Sequence, residues 1–142
     1  MSGSGAQPAA GLVGVVLVSH SAAVAASVAA LAQGLAGGGR SAPVAAAGGD
    51  ADGGLGTSAD LVAEAARSVD RGAGVAVLAD LGSAVLTVKA LLADEDELPP
   101  GTRLLDAPFV EGAVAAVVTA SAGAPLADVA AAASEAYTYR KL

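Results

Sequence analysis

The sequence predicts an α/β domain: a four-stranded, mainly parallel sheet in the strand order 2-1-3-4, with helices on both faces. Two observations predict it. Short unbroken apolar runs, the signature of parallel strands buried on both faces, alternate four times with longer stretches of helical periodicity. Alanine supplies much of the 54% hydrophobic content, and small side chains suit thin helices packed closely on a sheet. At 142 residues the chain is long enough to bury a core as one domain without disulfides.

Residues 1–10 are rich in Gly, Ser, Ala and Pro and read as a disordered leader, which leaves residues 11–142 as the domain. Residues 12–18 are the first apolar run and the first strand. Residues 22–35 carry Val24, Val28, Leu31 and Leu35 at spacings of four, three and four, which predicts an amphipathic helix with those four on one face. Gly37-Gly38-Gly39 ends it. A weaker second strand covers residues 43–47, and a loop rich in Gly and Asp follows from Gly48 to Thr57. Thr57 or Ser58 caps a helix that runs to Val69, with Leu61, Val62, Ala65, Ala66 and Val69 on one face. Residues 74–79 form the third strand and end at Asp80, where Leu81-Gly82-Ser83 turns into a helix through Val85, Leu86, Val88, Leu91 and Leu92. An acidic connection at 94–97 leads through Pro99-Pro100-Gly101 into a fourth strand at 102–106. Two further helices, 110–120 and 126–137, are separated by Gly123 and Pro125.

Composition narrows the partners. Cysteine is absent, so disulfides, thiolate catalysis and Cys-bound metals are excluded. Seven Lys and Arg against fourteen Asp and Glu give a net charge of −7, which argues against nucleic acid or an anionic membrane. With aromatics at 2%, no base-stacking platform is available. A small molecule, a phosphoryl group or another protein is the partner expected. An alanine-rich core buries little area per residue, and a homodimer is one way to make up the deficit. The apolar stretch 9–18 has no Lys or Arg ahead of it before Arg40, and Ser19-His20-Ser21 cuts it short. It therefore lacks the features of a signal peptide and the length of a membrane span, and a cytoplasmic protein is expected.

The only histidine, His20, stands directly after the first strand. In a 2-1-3-4 sheet the chain reverses direction between strands one and three, and the crevice opens at their carboxyl ends. Those ends carry His20 and Asp80, sixty residues apart. A neutral imidazole attacks through one nitrogen, while a carboxylate that accepts the N–H of the other fixes the tautomer and stabilises the developing positive charge. The turns at 19–22 and 81–84 each lead into a helix N-terminus, a natural anion site, which puts Ser19, Ser21, Gly82 and Ser83 around a phosphoryl group. Asp80 has a competing role as the N-cap of the helix near Ser83.

Other motifs are weaker. Gly54-Leu55-Gly56-Thr57-Ser58-Ala59 matches G-x-G-x-x-A, but it trails the second strand by several residues. It reads instead as a mobile loop that brings Gly56 and Thr57 beside the crevice. Asp50 and Asp52 begin like a calcium loop, yet Gly54 and Leu61 stand where further ligands belong, so no metal is expected. A Ser-His-Asp hydrolase would need Ser83 as nucleophile, and no G-x-S-x-G elbow occurs.

Val16-Leu17-Val18-Ser19-His20-Ser21, Gly56-Thr57, Val77-Leu78-Ala79-Asp80-Leu81-Gly82-Ser83-Ala84 and Ala107-Pro108-Phe109-Val110-Glu111-Gly112 carry a resemblance. In their order and spacing the chain is similar, over about residues 12–133, to the mannose-class EIIA family of the phosphotransferase system. The resemblance implies that His20 is the phosphorylated histidine and Asp80 the carboxylate that orients it. Sugar carriers of the class show Thr-His-Gly and Trp-Gly-Gly-Ser, whereas this chain has Ser-His-Ser and Leu81-Gly82-Ser83, which favours the dihydroxyacetone kinase branch. That branch implies phospho-HPr as donor, ADP held in a DhaL subunit as acceptor, a DhaK subunit that binds dihydroxyacetone, and a homodimer. It also implies no stably bound cofactor: the phosphoryl group rides on His20 and the nucleotide belongs to the partner. Some family members continue into HPr-like and enzyme-I-like domains, so a chain ending at Leu142 is expected to use a separate donor. The alternatives are a mannose-type carrier that feeds a sugar-specific IIB protein and a non-catalytic regulatory module of the same fold.

Overall fold

The computed structural model describes residues 11–37 and 39–142. The expected leader and Gly38 of the helix stop lie outside these described residues. Strands β1 (Gly14–Ser19), β2 (Val44–Gly48), β3 (Val75–Ala79) and β4 (Thr102–Leu104) form one sheet in the order β2-β1-β3-β4. Every pairing is parallel, with Val16 opposite Ala45 on one side and Val77 on the other. The fourth strand stops at Leu104, two residues before the expected end. Leu105 adds one further bond to the ladder, from its N–H to the Val77 carbonyl at 2.8 Å.

The helices are α1 (Ala22–Ala36), α2 (Ala59–Val69), α3 (Gly82–Ala93), α4 (Phe109–Ser121) and α5 (Leu126–Glu135), followed by a 3₁₀ turn at Ala136–Thr138. The last expected helix therefore ends two residues early and tightens. Side chains of β1 alternate between two cores, as successive strand residues must. Val15 and Leu17 pack with α1, α4 and α5 on one face. Val16 and Val18 pack with α2 and α3 on the other. This two-sided burial is why the first strand is an unbroken apolar run.

The α1 stripe differs from expectation. Val28 is buried, but Val24, Leu31 and Leu35 are exposed. Ala25, Val28, Ala29 and Ala32 face the sheet instead. The helix is apolar on most of its circumference, so periodicity does not select a face. The alanine face also lets its axis approach the sheet more closely than leucines would allow.

Gly48 ends β2 where a Cβ would lie 2.5 Å from the Ser21 carbonyl oxygen and 2.6 Å from Ala22 Cα. Glycine thus lets β2 press against the turn that follows His20. Gly48→Ala is expected to destabilise the fold by about 1–3 kcal/mol through this overlap. Gly34, exposed in α1 with open space around it, is the control: Gly34→Ala is expected to stabilise by about 0.5–1 kcal/mol. Urea unfolding of the two variants measures both signs.

Candidate active site

The parallel pairing of β1 with β3 sets the geometry. The Asp80 N–H donates to the Val18 carbonyl at 3.1 Å, so the residues that follow the two strands lie side by side. The Asp80 carboxylate then accepts four hydrogen bonds. Oδ2 takes the Ser19 hydroxyl at 2.8 Å and the His20 N–H at 3.1 Å. Oδ1 takes His20 Nδ1 at 2.9 Å and the Leu81 N–H at 2.7 Å. Burial pushes the Asp80 pKa up, but the His20 N–H, the Ser19 hydroxyl, the His20 ring and the Leu81 N–H together outweigh it. The net pKa lies below the ordinary 3.8.

An ionised carboxylate only accepts. The proton therefore sits on His20 Nδ1, and the neutral ring carries its lone pair on Nε2. The Ser83 hydroxyl contacts Nε2 and donates to that lone pair. The His20 side chain retains 23% exposure, enough for another molecule to reach it. Asp80 is not the N-cap of α3: that position belongs to Leu81, and the carboxylate is turned toward His20.

Of the remaining expected site residues, Ser19 is fully buried and satisfied. It donates to Asp80 and accepts the Ser21 N–H at 3.1 Å. Ser21 commits its hydroxyl oxygen to capping α1, where it accepts the Val24 N–H at 3.2 Å; it makes no bond to the His20 ring. Gly82 is exposed at the first position of α3, with nothing within 4 Å of a Cβ placed there. It leaves the free N–H groups of that helix terminus open to approach.

The glycine-rich loop does reach the crevice. The Gly56 N–H donates to the His20 carbonyl at 2.9 Å. Gly56 has a φ of 144°, a conformation that favours glycine. Thr57 lies one step away, its Oγ1 3.0 Å from Thr87 Oγ1. Thr87 in turn donates to the Ser83 carbonyl at 3.1 Å, so the Thr57 hydroxyl is the donor of the pair. Thr87 was not singled out from sequence. Its only signal there is the four-residue spacing from Ser83, which many helical threonines share.

Asp50 organises the loop itself, its Oδ1 accepting the N–H groups of Asp52 at 2.9 Å and Gly54 at 2.8 Å. These carboxylate bonds turn the chain back on itself. Among the described residues, no three His, Cys, Asp or Glu side chains gather as a metal site, and no helix is long and apolar enough to cross a membrane.

Residues 14–130 match the family described as the PTS system fructose IIA component, EIIA-man. The chain belongs to that family, which sorts it with phosphocarrier domains of the phosphotransferase system. Within the family its curated relatives include the phosphoryl donor subunit DhaM of PEP-dependent dihydroxyacetone kinase. The DhaM of Pantoea ananatis is 41% identical over 123 residues, covering 83% of this chain and 25% of that protein. The DhaM of Klebsiella michiganensis is 39% identical over the same length and coverage. The chain thus spans about a quarter of the length of these relatives. Among solved structures, EF1359, a protein of unknown function, superposes with a TM-score of 0.72 at 30% identity, covering 87% of this chain and 94% of that one. A sigma-54 interaction domain protein from Enterococcus faecalis shares the fold, with a TM-score of 0.64 at 20% identity and coverage of 90% and 92%.

The depressed Asp80 pKa has a definite sign in stability. Its contribution is complete above the unfolded value and is lost as pH falls through the folded value, below 3.8. The difference in unfolding free energy between the wild type and Asp80→Asn is therefore expected to shrink below about pH 4. Urea titrations across that range measure it, and a gap that ignores acid would contradict the assignment.

Proposed function

We propose that this chain is the phosphocarrier of a dihydroxyacetone kinase, with the phosphoryl group carried on His20 Nε2. One observation carries the reading: the 2.9 Å bond from Nδ1 to Asp80 leaves Nε2 as the unprotonated ring nitrogen, its lone pair met by the Ser83 hydroxyl. The Nε2 lone pair attacks phosphorus in a phosphohistidine donor, the old N–P bond breaks, and the leaving imidazole keeps that electron pair. Positive charge then appears on the His20 ring, where the Asp80 carboxylate stabilises it. Ser83 must release Nε2 before attack, and its hydroxyl is then free to donate to a phosphoryl oxygen. Onward transfer reverses the step, with an ADP phosphate oxygen as the new nucleophile. The process moves one phosphoryl group and needs no resident cofactor or metal.

The names of the curated relatives, each a phosphoryl donor subunit, support the assignment to the dihydroxyacetone branch. In this reading phospho-HPr is the donor, ADP in a DhaL subunit is the acceptor beside DhaK, and the setting is cytoplasmic. One observation favours a second reading. Ser83, His20 and Asp80 stand in the row that a serine hydrolase uses. The two readings part on the covalent intermediate, which is an acid-labile phosphate on His20 for a carrier and an acyl group on Ser83 for a hydrolase.

Incubation with phosphoenolpyruvate, enzyme I and HPr is expected to add one phosphoryl group by intact mass, lost on acid treatment. His20→Ala is expected to add none while its melting temperature stays close to wild type, because a loop residue contributes little packing. Asp80→Asn is expected to be phosphorylated about a hundredfold more slowly, within the range of a misoriented catalytic histidine.

The homodimer belongs to the same proposal. Leu31 and Leu35 of α1 lie beside Val110 and Val118 of α4 and Tyr139, around a shallow apolar depression of about 460 Å³. All five side chains are exposed in the single chain, and a second copy of the chain would bury them. Sedimentation equilibrium is expected to give a dimer for the wild type and a monomer for Leu35→Glu; a monomeric wild type would remove the homodimer.

A further inference from the structure

We propose that Thr57 and Thr87 form a clasp that positions the His20 site for phosphoryl transfer, acting through Ser83 rather than on the phosphoryl group itself. The proposal rests on the carrier function above and names two positioning residues for that reaction. The hydrogen bonds that support it close on themselves. The Gly56 N–H donates to the His20 carbonyl at 2.9 Å. Thr57, the next residue, has its Oγ1 3.0 Å from Thr87 Oγ1. The Thr87 hydroxyl donates to the Ser83 carbonyl at 3.1 Å, and the Ser83 hydroxyl contacts His20 Nε2. A path that leaves His20 by its backbone thus returns to it at the ring, through the 48–58 loop and the start of α3.

The needs of the fold do not explain the pair. Both threonines are half-buried, so water can serve each hydroxyl, and a neutral bond made in place of one to water adds little to stability. A helical threonine often satisfies its own hydroxyl on the carbonyl four residues back. That habit leaves unexplained the second hydroxyl, brought from a loop thirty residues away. The loop's other anchors lead to the exit of β1, with the Gly49 N–H on the Ser19 carbonyl at 3.1 Å and the Gly56 N–H on that of His20. Among the described residues, the threonine pair is the hydrogen bond that ties this loop to α3. It fixes the element that holds the His20 backbone against the one that meets the His20 ring.

The consequence is chemical. Asp80 sets the ring from the Nδ1 side, and Ser83 faces Nε2. Ser83 is exposed at the second position of α3, in a terminal turn of the kind that frays. A clasp on its carbonyl keeps that turn wound and its hydroxyl beside the attacking nitrogen. When the phosphoryl group arrives, the same hydroxyl turns to one of its oxygens while the helix stays in place. Without the clasp Asp80 keeps its four donors, but Ser83 and the loop drift. Two effects then oppose each other. Freeing Nε2 from a neutral hydrogen bond gains about fivefold at most, whereas losing an oriented donor from a transition state costs about a hundredfold or more. The loss dominates.

Valine keeps the shape of threonine without its hydroxyl, and serine keeps the hydroxyl, so the two substitutions separate the hydrogen bond from packing. Phosphorylation is followed by intact mass with phospho-HPr and with phosphoramidate, a small donor that transfers its phosphoryl group to imidazole and releases ammonia. Thr57→Val and Thr87→Val are each expected to react about tenfold more slowly than the wild type with both donors, at unchanged KM for phospho-HPr. Thr57→Ser and Thr87→Ser are expected to recover most of the rate. The double valine variant is expected to be no slower than the slower single one, since the two hydroxyls act as one. In the neutral ring of unphosphorylated Thr87→Val, the Nε2 ¹⁵N resonance is expected to move downfield, because its lone pair has lost an oriented donor, while Nδ1 stays protonated. Valine variants that keep the wild-type rate, or a Thr87→Val ring that keeps the wild-type Nε2 resonance, would overturn the clasp. A loss seen only with the protein donor would also overturn it, as would a loss that serine does not restore. Failure of the wild type with both donors would instead count against the carrier function, and the Nε2 resonance would still decide the clasp.

Discussion

The Asp80 carboxylate receives four donors at once, and the reactive geometry of the molecule follows from that. Three of the donors come from Ser19 and His20 at the end of the neighbouring strand. The fourth comes from Leu81, at the entry to α3. Because all four favour the charged form, the carboxylate stays ionised despite its partial burial. A permanently accepting carboxylate makes Nδ1 the protonated ring nitrogen and Nε2 the free one. The ring's tautomer, its orientation and its stabilisation on gaining charge thus have a single origin.

That origin depends in turn on the sheet. Parallel pairing in register, Val18 opposite Ala79, delivers two loop residues sixty positions apart to one place. The strands hold their register because both faces are packed, with Leu17 and Leu78 in one core and Val18 and Val77 in the other. Small side chains recur wherever elements close on the site. Gly48 lets β2 abut the start of α1, and Gly112 lets α4 approach Ala107 and Leu78. The alanine-rich composition is consistent with this close layering, and its cost is apolar side chains left at the surface of α1 and α4.

Much of this was legible in the sequence. The unbroken run before His20, the second such run before Asp80, and the alternation with helical stretches mark the strands, and the commonest small strand order then brings the two residues together. A cap at Thr57 or Ser58 was legible ahead of the apolar face of α2, and the structure gives the position to Ser58. The buried face of α1 was not, since Val24, Leu31 and Leu35 are as apolar as the residues that do face the sheet. The stop of β4 at Leu104 was hidden because Leu105 continues the apolar pattern after the pairing ends. At the site, His20, Asp80, Ser19 and Ser83 could be listed together with His20 and Asp80 paired, but the ring edge that each neighbour meets could not be read. The identity of the reactive nitrogen depends on which ring edge meets Asp80. The contribution of Thr87 depends on a contact across thirty residues with Thr57. Ser21, equally close to His20 in sequence, turns out to serve the helix.

Family membership gives a phosphocarrier domain, and the proposed role of His20 adds a ring oriented by an ionised carboxylate. The central physical claim is the assignment of roles to the two ring nitrogens. Heteronuclear NMR of the ¹⁵N-labelled protein after phosphorylation tests it directly, through the one-bond coupling of phosphorus to the nitrogen it joins. The account predicts coupling to Nε2, with Nδ1 still protonated and facing Asp80. Coupling to Nδ1 would contradict it.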